Sequence, residues 1–252
     1  MKILHITPHL GGGIGKALTE ISVSLPKSVK QTFLLLEEPI NKRFASEIAK
    51  DGHEVLVSQG LDHVAKLAAE ADIVQFEFIN HPRLLECLAR TEFPKIRSVI
   101  WAHISGLFKP YIPPGLIEQA HRFVFTSNAS LKGPSVGQYG TTSVINSGFG
   151  IEAKASVLER TKPVIGYLGT VNFVKMHKGF FEAVDRLDQN VTALIFGSID
   201  STVVDYASTM RNAHRFNFCG ETSAPDEAFA LMDIFFYPLQ PEHYGTGENA
   251  LV

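Results

Sequence analysis

The chain has 252 residues, of which 45% are hydrophobic and 19% charged, and its net charge at pH 7 is -3. These values are typical of a globular protein with one large or two small domains, and they exclude a disordered chain, a collagen and a coiled coil. The near balance of 23 basic and 26 acidic residues gives no electrostatic reason to expect a nucleic-acid partner.

The cysteines and the N-terminus exclude further classes. Cys87 and Cys219 lie far apart and outside any ligand spacing, so neither a disulfide framework nor a structural zinc is expected. The first apolar run soon breaks at Pro8 and Gly11, which indicates a strand rather than a signal peptide. No apolar stretch reaches the roughly 20 residues that span a bilayer. We therefore expect a cytoplasmic protein whose membrane association is at most peripheral.

Short β-rich runs alternate with amphipathic stretches along the first part of the chain. The predicted strands cover residues 2–7, 32–36, 54–57, 72–78, 98–103, 122–127 and 142–146. Helices are predicted over 14–25 and 81–91, because leucines and isoleucines recur there at helical spacing. Strands that alternate with helices imply right-handed crossovers and a mainly parallel sheet.

The same pattern restarts after a polar stretch. Predicted strands cover 163–169, 191–197, 214–220 and 233–239, and predicted helices cover 178–188, 201–211 and 225–232. The fold class is therefore α/β, with two doubly wound Rossmann-like domains. We place the first domain at residues 1–150, a linker at 151–162 and the second domain at 163–252.

Glycines cluster directly after the first predicted strand, at positions 11, 12, 13 and 15. Backbone amides at a helix N-terminus can bind a phosphate or a carboxylate. The spacing is one residue short for a Walker A loop, and Ala17 stands where that loop needs a hydroxyl. A dinucleotide fingerprint needs a third glycine where Lys16 stands, although Glu37 lies where a ribose-binding acid is expected. An anion-binding or close-packing loop and a plain tight turn are the other interpretations.

A second strand, loop and helix start lie at residues 166–180. Gly169 ends the strand, while Lys175 and Lys178 flank the expected helix N-terminus. A lysine there opposes the helix dipole unless an anion is bound. The pattern favours a phosphate partner for one of the two lysines over a role as solvated surface residues.

The third candidate region is the Gly-rich loop at 237–252, which leads from a strand towards a helix. It carries Glu242, His243, Tyr244 and Glu248. Ligands of open α/β sheets bind beyond the carboxyl ends of the strands, where this loop lies. Taken alone, the loop is equally well a turn with a capping glutamate.

Single polar residues at strand ends have two interpretations each. His103, Glu77, Asn80 and His81 are placed to contact a ligand, or to serve as structural hydrogen-bonding groups. His5 is predicted to be structural. No Asp-x-Asp pair occurs, so a metal–diphosphate clamp of that type is not expected, and the lack of a Gly-x-Ser-x-Gly motif argues against an α/β-hydrolase.

Several segments together resemble one enzyme family. KILHITPHLGGGIGKALTEIS resembles the opening of the retaining, GT-B-fold glycosyltransferases that use nucleotide sugars, of the family-4-like "glycosyl transferases group 1" type. VINSGFG resembles the family's linker entry, and VIGYLGT with KGF resembles its donor-phosphate loop. FNFCGETSAPDEAFALMDIFFYPL and PEHYGTGENALV resemble the stretches that lead to its two-glutamate motif. The resemblance covers nearly the whole chain, in the family's order.

The resemblance implies roles for individual residues. Gly12 and Gly13 would approach the donor phosphate or sugar, and His103 would contact the donor sugar. Lys178 matches the family's diphosphate lysine, with Lys175 as the local alternative, and both belong to the phosphate loop that begins at Gly169.

Further implied contacts involve the base and the transferred sugar. Gly220 and Glu221 would lie against the nucleobase. Glu242 resembles the glutamate that holds the transferred sugar, and Glu248 is the rival for that role. The family's arginine is replaced by Thr170, and its second glutamate would follow Val252. We therefore expect the chain to be an excerpt of a longer enzyme, with an incomplete donor site and no activity by itself.

The resulting hypothesis is a metal-independent, hexosyltransferase-type retaining enzyme. It would move a sugar from a nucleoside diphosphate donor to a sugar, lipid or small-molecule acceptor, with no bound cofactor. One alternative is an NAD-dependent oxidoreductase or epimerase built on the first glycine loop, and another is a non-catalytic sugar- or nucleotide-binding module.

Overall fold

The computed structural model describes residues 1–133, 140–147 and 161–245. These residues divide into two units, the first made of the chain up to 147 together with 244–245, and the second of 161–243. Glu248 and nearly all of the predicted linker 151–162 lie outside the described residues. The predicted second domain continues to residue 252, whereas Tyr244 and Gly245 group with the first unit.

The first unit is built on a parallel sheet of seven strands. The strands are β1 (Lys2–Thr7), β2 (Lys30–Leu35), β3 (Glu54–Val57), β4 (Ile73–Phe78), β5 (Ser98–Ala102), β6 (Arg122–Phe125) and β7 (Thr142–Val144). Their order is β3-β2-β1-β4-β5-β6-β7, so the direction of winding reverses between β1 and β4. The crevice beyond such a reversal is where open α/β sheets bind ligands.

Helices cover both faces of this sheet. They are α1 (Gly12–Ser24), α2 (Arg43–Lys50), α3 (Leu61–Glu70), α4 (Pro82–Arg90) and α5 (Pro114–Gln119), and a 3-10 helix spans Asn128–Lys132. One face carries the larger apolar core, which includes Phe76, Phe78 and Phe123. On the other face, α1 and α2 pack against β2 through a smaller core that includes Leu18 and Phe33. Alternation along each strand separates the two sets of side chains.

The second unit has a parallel sheet of four strands. These are β8 (Val164–Leu168), β9 (Thr192–Phe196), β10 (Phe216–Gly220) and β11 (Ile234–Phe235), in the order β10-β9-β8-β11. Its helices are α6 (Gly179–Asp185), α7 (Ser201–Ser208) and α8 (Pro225–Ala230), with a 3-10 helix at Ala213–Arg215. An aromatic core that includes Tyr167, Phe180 and Phe181 fills the space between sheet and helices. The winding reverses between β8 and β11.

The predicted fold class is confirmed, and each predicted strand is present. The last strand is the main difference, since only Ile234 and Phe235 of the predicted 233–239 pair in the sheet. The amide of Phe236 still donates to the carbonyl of Gly166 at 2.9 Å, and Pro238, two residues on, has no amide with which to continue the ladder. Helices α2, α3 and α5 were not singled out from the sequence. None of the helices in the described part of the chain is long and apolar enough to cross a membrane.

Candidate functional site

The glycine loop of the first unit forms the uncapped N-terminus of a 13-residue helix. Gly11 is the N-cap of α1 and provides no side-chain hydrogen bond, and no acidic residue lies in the first turn. Gly12 has a φ of 54°, which a residue with a side chain rarely adopts. Gly12 and Gly13 are exposed, so their amides are accessible at the positive end of the helix dipole. This arrangement suits an anion.

A buried carboxylate holds the histidine that follows β5. Glu77, on β4, is completely buried, and its Oε2 accepts a 2.8 Å hydrogen bond from His103 Nε2. Gln75 Nε2 donates to the other carboxylate oxygen at 2.7 Å. The ring of His103 also lies 4.8 Å from the ring of Trp101. His103 is therefore fixed from two sides, at the carboxyl edge of the sheet.

The polar group continues across the sheet through His5. This side chain on β1 is 1% exposed, and its Nδ1 lies 3.7 Å from Glu77 Oε1. Its Nε2 is 3.2 Å from Gln31 Oε1, and its ring stacks on Phe33 at 4.6 Å. The prediction that His5 is structural fits these contacts. The network joins β2, β1, β4 and β5, which are neighbours in the sheet.

The surroundings of Glu77 keep it charged. Burial alone would raise the pKa of Glu77, but the hydrogen bond from His103 and the approach of His5 lower it from 4.5 to about 2. Glu77 is therefore an anion at neutral pH, and the hydrogen of the 2.8 Å bond belongs to His103 Nε2. In its neutral form, His103 then has Nδ1 as a hydrogen-bond acceptor.

Because the pKa of Glu77 is lowered in the folded protein, we expect the first unit to become less stable in acid. Since the pKa of Glu77 is lower in the folded state, its contribution is present above about pH 4.5 and is lost as the pH falls towards 2. A difference of this size corresponds to about 3 kcal/mol. Urea unfolding, followed by Trp101 fluorescence at pH 5 and pH 3, should show a loss of about 2 kcal/mol of this contribution, and the rest is lost below pH 3. Glu77→Gln should lose less stability than the wild type over this range, and equal losses would contradict the assignment.

Three side chains meet next to the glycine loop, at the switch point of the sheet. His9 follows β1, Glu37 follows β2 and His81 follows β4, and one donor atom of each lies within 4.8 Å of the others. His81 also caps α4, because its Nδ1 accepts from the amide of Arg83 at 3.3 Å. Among the described residues, these three side chains form the one group that could together bind a metal ion.

A cavity of about 320 Å³ opens beside α1, on the face of the first unit's sheet that α1 covers. Gln75 and Trp101 join its wall to the buried network, and Asn146 and Ser147 border it after β7. Most of the remaining lining is aliphatic, from Ala17, Ile21, Val99, Val124 and Ile145. The cavity has the size and composition of a small-molecule pocket.

In the second unit, three strands end in glycines that lie side by side. Gly169 follows β8, Gly197 follows β9 and Gly220 ends β10. The amide of Gly169 donates to the carbonyl of Phe196 at 3.0 Å, and the amide of Gly197 donates to the carbonyl of Gly220 at 2.8 Å. Gly197 has a φ of 139° and Gly220 a φ of 77°. A Cβ at Gly169 would meet the hydroxyl of Tyr237, and a Cβ at Gly197 would meet the carbonyl of Gly169, whereas a Cβ at Gly220 would have no atom within 4 Å. A ligand can therefore approach the backbone closely at Gly220.

The two candidate lysines lie over aromatic rings in the second unit. Lys178 is the N-cap of α6, and its Nζ is 5.1 Å from the centre of the Phe173 ring and 5.0 Å from that of Tyr206. Lys175 Nζ is 5.6 Å from the centre of the Tyr237 ring. The ammonium group of each lysine is thus attracted to the face of an aromatic ring.

Backbone hydrogen bonds join the loop that carries Lys175 to the loop that carries Glu242. Met176 and Leu239 form an antiparallel bridge, and Gln240 donates to the carbonyl of Lys175 at 2.8 Å. This pairing fixes the chain just before Glu242, which is exposed in a turn. Glu221 is likewise exposed, directly after β10.

Tyr244 and Gly245 belong to the first unit. Gly245 bridges to Ile104, and the amide of Ser105 donates to the carbonyl of Tyr244 at 2.7 Å. These contacts explain why the two residues group with the first unit and not with the second.

Sequence reasoning missed His9 and Gly197. Gly197 could have been found from a repeated pattern, since each of the first three strands of the second unit runs into a glycine: Leu168-Gly169, Phe196-Gly197 and Cys219-Gly220. His9 had no such signal, because its partners come from segments that are distant along the chain.

Comparisons with solved structures identify the architecture. Over 97% of its length, the chain matches Anabaena Alr3699/HepE in complex with UDP-glucose, with a TM-score of 0.76, 18% identity and 76% of that chain covered. A glycosyltransferase from Rickettsia africae ESF-5 matches 94% of the chain with a TM-score of 0.73 and 13% identity, and 72% of that protein is covered. The lipopolysaccharide outer core galactosyltransferase WaaB matches 90% of the chain with a TM-score of 0.63 and 18% identity, and 70% of it is covered.

Sequence comparisons give no match of either kind. No protein-family model and no curated protein sequence matches the chain. The similarity to known proteins is therefore seen only in the structure, and at sequence identities of 13–18% it establishes the fold. The chain has the GT-B architecture of these glycosyltransferase structures.

Proposed function

We propose that the chain is part of a glycosyltransferase that uses a nucleoside diphosphate sugar as donor. The observation that carries this proposal is the fold match to a protein in complex with UDP-glucose, which extends over 97% of the chain. The uncapped glycine helix of the first unit is a site of the kind that binds phosphates, and the backbone of the second unit is open to a ligand at Gly220.

The second unit supplies the donor contacts in this proposal. Lys178 or Lys175 binds the diphosphate, with Gly169 beneath it, while Gly220 and Glu221 lie against the base. Glu242 or Glu248 contacts the transferred sugar. Positive charge at the diphosphate stabilises the leaving group, so the transfer needs no Mg²⁺ or Mn²⁺.

The first unit supplies His103 and the glycine amides. Because Glu77 binds Nε2–H, neutral His103 offers Nδ1 as an acceptor for a hydroxyl of the donor sugar. Gly12 and Gly13 approach the donor from the N-terminus of α1. We further propose that the reaction retains the configuration of a hexosyl group, that it occurs in the cytoplasm, and that the acceptor is a sugar, a lipid or another small molecule.

The lysines give the sharpest test of donor binding. Replacing Lys175 and Lys178 together by Ala should weaken binding of the nucleoside diphosphate at least about tenfold, because a hydrogen bond to a charged group contributes about 1.5–3 kcal/mol. Binding of the free nucleoside should hardly change. Calorimetry with UDP, GDP, ADP and dTDP, each against its nucleoside, identifies the base and measures both effects.

A matched control removes the same charge elsewhere in the second unit. Lys162 and Arg211 are both exposed, and their double replacement by Ala should leave diphosphate binding intact. Equal losses for diphosphate and nucleoside would contradict the role of the lysines. Stabilisation of the protein by NADH, with none by any nucleoside diphosphate, would favour the oxidoreductase alternative.

A further inference from the structure

We propose that His9, Glu37 and His81 bind one divalent transition-metal ion, and that zinc is the preferred ion. The donor atoms of the three side chains lie within 4.8 Å of one another. His81 Nε2 is 3.6 Å from Glu37 Oε1, and the rings of His9 and His81 meet edge to face at 5.7 Å. Nothing in the donor-binding proposal uses this group.

The spacing is close to that of a formed zinc site. Bonds of about 2.1 Å in tetrahedral geometry put neighbouring ligand atoms about 3.4 Å apart. The separation between His81 and Glu37 already has nearly this value. A shift of the His9 ring by about 1.4 Å or less closes the set, and rotation of one side chain is sufficient for that.

The backbone holds the three donors on separate, fixed segments. The amide of Glu37 donates to the carbonyl of Pro8 at 3.1 Å, which ties the end of β2 to the residue before His9. Thr7 Oγ1 donates to the carbonyl of His9 at 2.9 Å. Asn80, just before His81, has a φ of 58°, a left-handed conformation in which asparagine is enriched. Donors on rigid segments lose little freedom when a metal binds.

The imidazoles have few competing contacts. Within the described residues, the ring nitrogens of His9 make no hydrogen bond, and its ring packs against Gly11, where a Cβ would lie 3.0 Å from His9 Nδ1. His81 uses Nδ1 for the 3.3 Å bond from Arg83, which leaves Nε2 towards Glu37. A metal at Nε2 moves the ring proton to Nδ1, so α4 loses this cap when the ion binds.

The chemistry of the three ligand side chains favours zinc over other ions. Two imidazoles and one carboxylate form the protein ligands of many zinc sites that keep a fourth position open, whereas Mg²⁺ prefers oxygen ligands alone. The fourth position would hold water, next to the first residues of α1. This site therefore differs in chemistry from a Mg²⁺ or Mn²⁺ clamp on a diphosphate.

Titration of the untagged protein with Co²⁺, followed by competition with Zn²⁺, tests the site. We expect one Co²⁺ to bind per chain, with a visible absorption band typical of Co²⁺ in a site of low symmetry. One equivalent of Zn²⁺ should displace the Co²⁺. His9→Ala, Glu37→Gln and His81→Ala should each weaken Zn²⁺ binding at least about tenfold, since loss of an outer-shell partner alone costs about 10–100-fold. Trp101 emission verifies that each variant is folded.

His177→Ala is the matched control. His177 also precedes a helix, and its Nδ1 accepts from the amide two residues on, that of Gly179 at 2.9 Å, but it lies in the second unit. Its replacement should leave Zn²⁺ affinity unchanged. The absence of a one-to-one complex at micromolar concentration, or equal losses in His81→Ala and His177→Ala, would overturn the proposal. Donor binding is measured separately, so either proposal can fail alone.

Discussion

Replacing Glu77 by Ala is expected to destabilise the first unit by about 3–6 kcal/mol, because two hydrogen bonds to a buried charged group are lost and each contributes about 1.5–3 kcal/mol. Two groups donate hydrogen bonds to this carboxylate, His103 Nε2 at 2.8 Å and Gln75 Nε2 at 2.7 Å, and His5 Nδ1 lies 3.7 Å from it. Without it, the side chains of His103 and Gln75 lose their hydrogen-bond acceptor. Urea unfolding followed by Trp101 fluorescence reports on this unit, because Trp101 is the single tryptophan and is 7% exposed.

The control for Glu77 is another glutamate on a strand of the same sheet. Glu54 is exposed on β3 and accepts one 3.2 Å hydrogen bond from Thr32. Glu54→Ala should change the unfolding free energy by no more than about 0.5 kcal/mol. If both variants unfold at the same urea concentration, Glu77 does not stabilise the sheet in the way described.

Gly197→Ala is expected to destabilise the second unit by about 4 kcal/mol, from overpacking and backbone strain combined. A Cβ at this position would overlap the carbonyl oxygen of Gly169, which is backbone and cannot rotate away. The φ of 139° adds strain for any residue with a side chain. Faster amide hydrogen exchange in β8 and β9 would reveal the loss.

Gly220→Ala separates the two causes. Gly220 has a φ of 77°, but a Cβ there would have no atom within 4 Å. Only the left-handed backbone is penalised, by about 1–2 kcal/mol. Equal exchange rates in the two variants would mean that the contact between Gly197 and Gly169 does not limit the packing of these strands.

Local patterning was sufficient to predict the strands. Runs such as KILHIT and RFVFTS combine β-branched and aromatic residues and are bounded by turn residues, and both form strands near the expected bounds. Strand ends were less predictable. Residues 236–239 look like strand, yet Met176 and Leu239 form a bridge outside the sheet, a pairing that depends on a loop some 60 residues earlier in the chain.

The sequence by itself determined the α/β class, the repeated strand–glycine endings and the positions of the candidate phosphate loops. These features depend on residues that are close along the chain, where periodicity and glycine conformational freedom act. The tertiary structure alone decided that Glu77 holds His103 and that Lys178 lies between Phe173 and Tyr206. It also decided that His9, Glu37 and His81 meet. Strand order in a parallel sheet is set by the packing of whole crossovers, so neighbours across the sheet carry no local signal in the sequence.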